Sequence, residues 1–186
     1  RLVGSEMCIR DRGVSGPAVL KLSSYAARLL AENDYKDPLA ISWTGELTRQ
    51  EVEENLLKLQ TTNPRKQVAT LHPFGLPSRL WLYILSKLDI DAVKPWAEIG
   101  RKTLNRMIET LVNDQYTIAG KGAFRDEFVT CGGVSLSSVN SKTLESKVCP
   151  NLFFAGEVLD IDAITGGFNL QAAWTTGVVA GQCAAS

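Results

Sequence analysis

The chain has 186 residues, 45% of them hydrophobic and 22% charged, with 20 Lys plus Arg balanced by 20 Asp plus Glu. That is enough apolar material to bury a sizeable core in one or two domains, which excludes a disordered chain, and the balanced charge supplies no field to draw nucleic acid or an anionic membrane. No apolar stretch approaches the roughly 20 residues that a membrane-spanning helix needs.

Residues 1–12, RLVGSEMCIRDR, resemble the conceptual translation of a transposon adapter used in sequencing libraries, and are expected not to belong to the natural protein. Setting them aside removes Cys8 and leaves Cys131, Cys149 and Cys183, an odd number without metal-ligand or Cys-x-x-Cys spacing. A reducing, cytoplasmic setting and no metal site are the expectation. Pro17 after Gly16 suits the first turn of a helix, and Leu20, Leu22, Tyr25, Leu29 and Leu30 carry that helix over residues 17–31. Residues 38–43 are short, apolar and β-capable, and read as a strand.

Thr48 followed by Glu51 makes a capping box, and Val52, Leu56, Leu57 and Leu59 are the apolar stripe of the helix that follows. Asn63-Pro64 stops it; Pro73, Gly75 and Pro77 break the chain again before a helix over residues 80–88. Leu104, Met107, Ile108 and Leu111 mark one more amphipathic helix, so residues 47–113 read as a helical subdomain whose Leu and Trp stripes are core. The alternating charges of residues 46–66 are a solvated helix face. His72, the single histidine, lies beside Pro73 and reads as a surface or structural residue, which leaves no His-based triad or multi-His metal site. From Tyr116 the pattern turns to β and Gly-rich segments at residues 116–119, 127–130 and 131–134. Residues 152–155, Leu-Phe-Phe-Ala, read as a strand covered on both faces, and residues 168–185 as a long helix of small residues.

Chemistry concentrates in residues 151–181. The expected strand ends in Gly156-Glu157, placing a carboxylate at the carboxyl edge of a sheet, where open α/β sheets bind ligands. Glu157 can accept hydrogen bonds from sugar or ribityl hydroxyls, and Gly156 allows close approach. Asp160 and Asp162 follow, and Thr165-Gly166-Gly167 opens the last helix with free N–H groups at its positive dipole end. Such an end suits an anion, or the pyrimidine edge of a flavin that gains charge on reduction. From residue types alone, the segment is equally an ordinary sheet-to-helix connection with Thr165 as its cap.

Residues 13–183 resemble the carboxy-terminal portion of the BaiN-like flavoproteins, the aminoacetone-oxidase family of NAD(P)/FAD-dependent oxidoreductases. The resemblance rests on Gly13-Val14-Ser15-Gly16-Pro17-Ala18, Phe128-Val129-Thr130-Cys131-Gly132-Gly133-Val134, Thr143-Leu144-Glu145-Ser146-Lys147, and above all the stretch from Phe154 to Gly181. It implies an α/β chain: residues 13–46 ending a β-rich second domain, residues 47–113 a helical insertion, and residues 114–186 the carboxy-terminal part of a Rossmann-like FAD domain. It also implies that Gly132, Gly133, Gly156, Glu157, Asp162, Gly167, Asn169 and Gln171 line the flavin, beside Gly166 at the helix start. FAD is the implied cofactor, with NAD(P)H as electron donor and a small organic molecule as substrate; catalytic residues and oligomeric state are not assigned. The Gly-x-Gly-x-x-Gly motif that cradles the ADP pyrophosphate in such domains is absent from the sequence, so the chain is expected to be a fragment that holds FAD weakly by itself. The alternatives are a fumarate-reductase-like flavoprotein and a non-catalytic helical interaction module.

Overall fold

The computed structural model describes residues 8–10, 13–121, 129–164 and 166–186. It is mixed α/β, with five α-helices and two two-stranded antiparallel sheets among the described residues. The chain divides into two compact units, one taking in Lys36–Ala119 and the other Val19–Tyr35 with Gly120–Ser186. Strands β1 (Cys8–Arg10) and β2 (Gly13–Ser15) form a short hairpin-like pair, and helix α1 runs Pro17–Glu32, as its Gly-Pro start and Leu spacing predict.

In the first unit, β3 (Pro38–Ile41) pairs antiparallel with β4 (Asp114–Thr117), with Ile41 opposite Asp114. The later strand starts two residues before the expected 116–119. Asp114 is drawn inward because its carboxylate accepts hydrogen bonds from Trp43 Nε1 at 3.0 Å, Lys87 Nζ at 2.6 Å and Tyr116 Oη at 2.6 Å. An acid so paired can be buried, which sequence reading does not anticipate. Helix α2 (Arg49–Thr62) starts on the expected capping box: Thr48 accepts from the Glu51 N–H, and Glu51 accepts from the Thr48 N–H. It stops at Asn63. Helices α3 (Ser78–Lys87) and α4 (Arg101–Asn113) follow the breaks at Pro77 and Gly100. Leu104, Met107, Ile108 and Leu111 of α4 are buried with Val52 and Leu56 of α2 among the core residues. Trp81 stacks on Trp96 with ring centres 6.4 Å apart, and its Nε1 donates to Val68 O. His72 is exposed at the edge of the Pro73–Gly75 turn.

The second unit has a smaller core: Val139, Leu144, Leu159 and Ala180 are buried, with Val134, Phe153, Phe154, Ala155, Ile161 and Val179 packed around them. Helix α5 (Gly167–Ala184) supplies one wall. The apolar run at residues 152–155 is not the doubly covered strand expected. It is an extended segment held on one side only, through Ser146 N to Leu152 O and Phe154 N to Leu144 O, and Leu152 is 43% exposed. A strand in a doubly covered sheet needs ladder partners along its edges and packed layers over both faces; here the described residues offer one partner segment, and Leu152 is left exposed. Nor do residues 129–134 form a strand; Val134 makes a single parallel bridge to Leu159. Residues 127 and 128 of the expected strand lie outside the described residues.

Candidate functional site

The site assembles around the amino end of α5. The turn Gly156–Val158 packs on that helix: the Gly156 N–H donates to Thr176 Oγ1 at 2.9 Å, and a Cβ at Gly156 would meet the Ala173 Cβ at 3.9 Å. Thr176 Oγ1 in turn donates a hydrogen bond to Ala172 O, so the hydroxyl ties turn and helix together. Gly156 has φ +76°, a left-handed conformation that favours glycine. Gly166 precedes the helix at φ +154° and contributes no side-chain cap, so the first-turn N–H groups of α5 receive no side-chain oxygen from it. Thr165, the expected cap, lies outside the described residues.

Between the turn and the helix start is a cleft of about 340 Å³ that brings together Gly156, Glu157, Gly166 and Asn169 of the expected site residues. Its remaining walls are Val129, Ile161, Leu170, Ala172 and Ala173, which sequence reading did not single out; the spacing of Gly166, Asn169, Leu170 and Ala173 along one helical face was the available signal. Glu157 is exposed at the rim, where one carboxylate oxygen accepts the Thr130 N–H at 3.1 Å. Asn169 has its amide engaged by the chain itself, accepting from Ala163 N at 2.9 Å and donating to Ala163 O at 3.0 Å, which clamps the loop before the helix.

The other expected residues lie on neighbouring segments. Gly133 is so close to the next segment that a Cβ would sit 2.6 Å from Val158 O and 2.8 Å from Leu159 C; its close approach is to backbone of this chain. Gly132, at φ +112°, faces open space. Asp162 accepts a hydrogen bond from the exposed Cys131 thiol, which with a little desolvation pushes that thiol above its ordinary pKa, while Arg28 opposes the shift. Arg28, unremarked in the sequence, also reaches from α1 to Asp160 at 2.6 Å. Its guanidinium is raised by those bonds, Asp160 first and Cys131 next. Gln171 is exposed and donates to Thr175 Oγ1 at 3.2 Å. No group of three or more metal-ligating side chains occurs among the described residues, and no described helix is long and apolar enough to cross a membrane.

Residues 19–183 match the family described as HI0933-like protein Rossmann domain. The chain belongs to this family. Among relatives, it is 31% identical over 173 residues to the ribosomal RNA dihydrouridine synthase of Haemophilus influenzae, covering 92% of this chain and 40% of that protein. It is 29% identical over 169 residues to the Escherichia coli protein of the same name, covering 89% and 38%. To the 3-dehydro-bile acid delta(4,6)-reductase of Clostridium scindens it is 31% identical over 183 residues, covering 97% and 44%. The chain thus spans less than half the length of these family relatives, one of which is named as a reductase.

Proposed function

We propose that the cleft at the start of α5 receives the isoalloxazine ring of FAD, and that the protein is a flavin-dependent oxidoreductase. The observation that carries this reading is the cleft's polarity: apolar walls at Ile161, Leu170, Ala172 and Ala173 end at a helix start with no cap from Gly166 and a rim carboxylate at Glu157. A flat ring with one apolar and one hydrogen-bonding edge fits that division, and the volume falls within the ~300–1,000 Å³ of small-molecule pockets. On this reading Gly156, Gly166 and Gly167 let the ring approach, the first-turn N–H groups of α5 favour negative charge at its pyrimidine edge, and Glu157 accepts from a hydroxyl. Gly133 and Asn169 shape the cleft by holding its loops.

When bound and reduced, with NAD(P)H as the proposed source of electrons, FAD would supply the hydride. The names of the relatives, a dihydrouridine synthase and a delta(4,6)-reductase, share the saturation of a ring carbon–carbon double bond. We therefore infer that the substrate class is such a double bond, with hydride added to one carbon and a proton to the other. No site for the ADP half of FAD is proposed on these residues, which contain no Gly-x-Gly-x-x-Gly motif.

The test is a fluorescence titration of the chain with lumiflavin, FMN and FAD. The three should bind with affinities within a few-fold of one another, and Gly167→Val should weaken each by tenfold or more. A Cβ at Gly167 meets nothing within 4 Å, so the variant keeps its fold while crowding the helix start. No binding by any flavin would overturn the site; FAD binding a hundredfold tighter than lumiflavin would overturn the division of the cofactor.

A further inference from the structure

In the unit that takes in Lys36–Ala119, the exposed large hydrophobic side chains among the described residues are Leu82, Tyr83 and Val93. They gather at one place, the second half of α3 and the turn that follows it. A groove of about 360 Å³ lies there, floored by the buried Leu85 and Ile90 and walled by Leu82 and Ala92. Val93 adjoins it, its N–H donating to Asp91 Oδ1 at 3.1 Å. Exposed apolar side chains collected around a concavity mark a contact surface.

The rim carries one sign of charge. Asp89 and Asp91 stand on it beside Ser86, and no Lys, Arg or His lines the groove. Helix α3 ends in a Schellman motif, with Ile90 N bonded to Leu85 O at 2.9 Å and Asp89 N to Ser86 O at 3.0 Å. Asp89 therefore fills the left-handed position, at φ +57°, that glycine usually holds, and sets a carboxylate at the negative end of the helix dipole. Lys87, the basic residue of that last turn, gives its ammonium to Asp114 instead. Among the described residues neither Asp89 nor Asp91 belongs to an ion pair.

The surface is complementary to an apolar body that carries positive charge. Two unpaired carboxylates repel phosphate backbones and anionic lipid. An added strand finds no free edge, because Asp91 O already accepts from Lys94 N and Ala92 O from Ala69 N. Recognition through side chains is what a helix laid in an apolar groove provides.

We propose that this groove docks a basic amphipathic helix of a partner protein, with apolar side chains over Leu85 and Ile90 and Lys or Arg side chains on Asp89 and Asp91. The groove and the flavin cleft belong to different units, so the inference stands whatever the cleft binds.

The experiment follows the fluorescence anisotropy of a labelled peptide with Leu and Lys at helical spacing as the chain is added. Two counterparts accompany it, one with Glu for every Lys and one with Ser for every Leu. The Leu/Lys peptide should saturate a single site and bind at least tenfold tighter than either counterpart. Asp89→Asn with Asp91→Asn should weaken it at least tenfold. Asparagine is tolerated in the left-handed position and keeps an oxygen for the Val93 N–H, so this pair removes charge while retaining the turn. Ser86→Lys, at an exposed position on the rim, should weaken binding likewise. Glu46→Gln with Glu98→Gln removes two exposed carboxylates outside the groove and should leave affinity unchanged. Equal loss in that control pair would reduce the effect to net charge and overturn the proposal, as would indifference to the asparagine pair or equal binding of the Ser counterpart. Two other occupants would also overturn it. Displacement of the peptide by hexylamine at the peptide's own affinity would make the groove a small-amine site, and self-association that Ser86→Lys abolishes in sedimentation would make it a contact with a second copy.

Discussion

Replacing Gly133 by Ala tests whether the residues around the cleft are held by backbone-to-backbone packing. The new Cβ would stand 2.6 Å from Val158 O, 2.8 Å from Leu159 C and 2.9 Å from Asp160 N, with φ at +153°. All three neighbours are main-chain atoms, so relief requires the segments to part, and the bonds joining them, Val134 N to Val158 O at 2.8 Å and Asp160 N to Val134 O at 3.0 Å, are strained or lost. Overpacking costs about 1–3 kcal/mol and each hydrogen bond about 1 kcal/mol, which together give roughly 3–5 kcal/mol. Gly132→Ala is the control: φ is +112° but nothing lies within 4 Å, so only backbone strain of about 1–2 kcal/mol applies. The assay is amide hydrogen exchange at Val134 and Asp160. Protection should collapse in Gly133→Ala and largely survive in Gly132→Ala, and flavin affinity should fall with it because the displaced segment continues from the Gly156–Val158 turn. Equal loss of protection in the two variants would refute the packing argument.

Leu56 is fully buried in α2, so Leu56→Ala should cost about 2–5 kcal/mol in chemical denaturation while leaving the flavin titration unchanged, since Leu56 and the cleft belong to different units; a loss under 1 kcal/mol would remove it from the core. The Cys131 thiol should alkylate only above the usual thiol pH range, because it donates a hydrogen bond to the Asp162 carboxylate, which favours the neutral form. Asp162→Asn should move the alkylation profile to lower pH and Arg28→Ala to higher pH, since the guanidinium stabilises the thiolate. Identical profiles for all three proteins would show that neither side chain touches the thiol in solution.

Much of the architecture was legible because it is set locally. The Thr48/Glu51 capping box, the Asn63-Pro64 stop and the four-residue stripe of α4 depend on neighbours in sequence, and each appears where the pattern puts it. The Gly-Pro start of α1 and the extent of α5 are legible for the same reason. The β-segments were not. Whether residues 152–155 become a doubly covered strand depends on partners elsewhere in the chain, and the described residues supply a partner on one side only. The start of β4 depends on Asp114, whose burial is decided by Trp43, Lys87 and Tyr116 converging from separate elements.

The candidate site divides in the same way. The sequence by itself determined that a Gly-Glu turn and a glycine-led, uncharged helix occur in that order, because spacing and residue type suffice for a turn and a helix start. Only the tertiary structure decided how those residues are used. It put Gly156, Glu157 and Gly166 around one cleft, engaged Asn169 on the Ala163 backbone, pressed Gly133 against Val158–Asp160, and brought Arg28 across 132 positions to Asp160. Contacts between residues so far apart are fixed by packing, and packing has no representation in the spacing of letters along the chain.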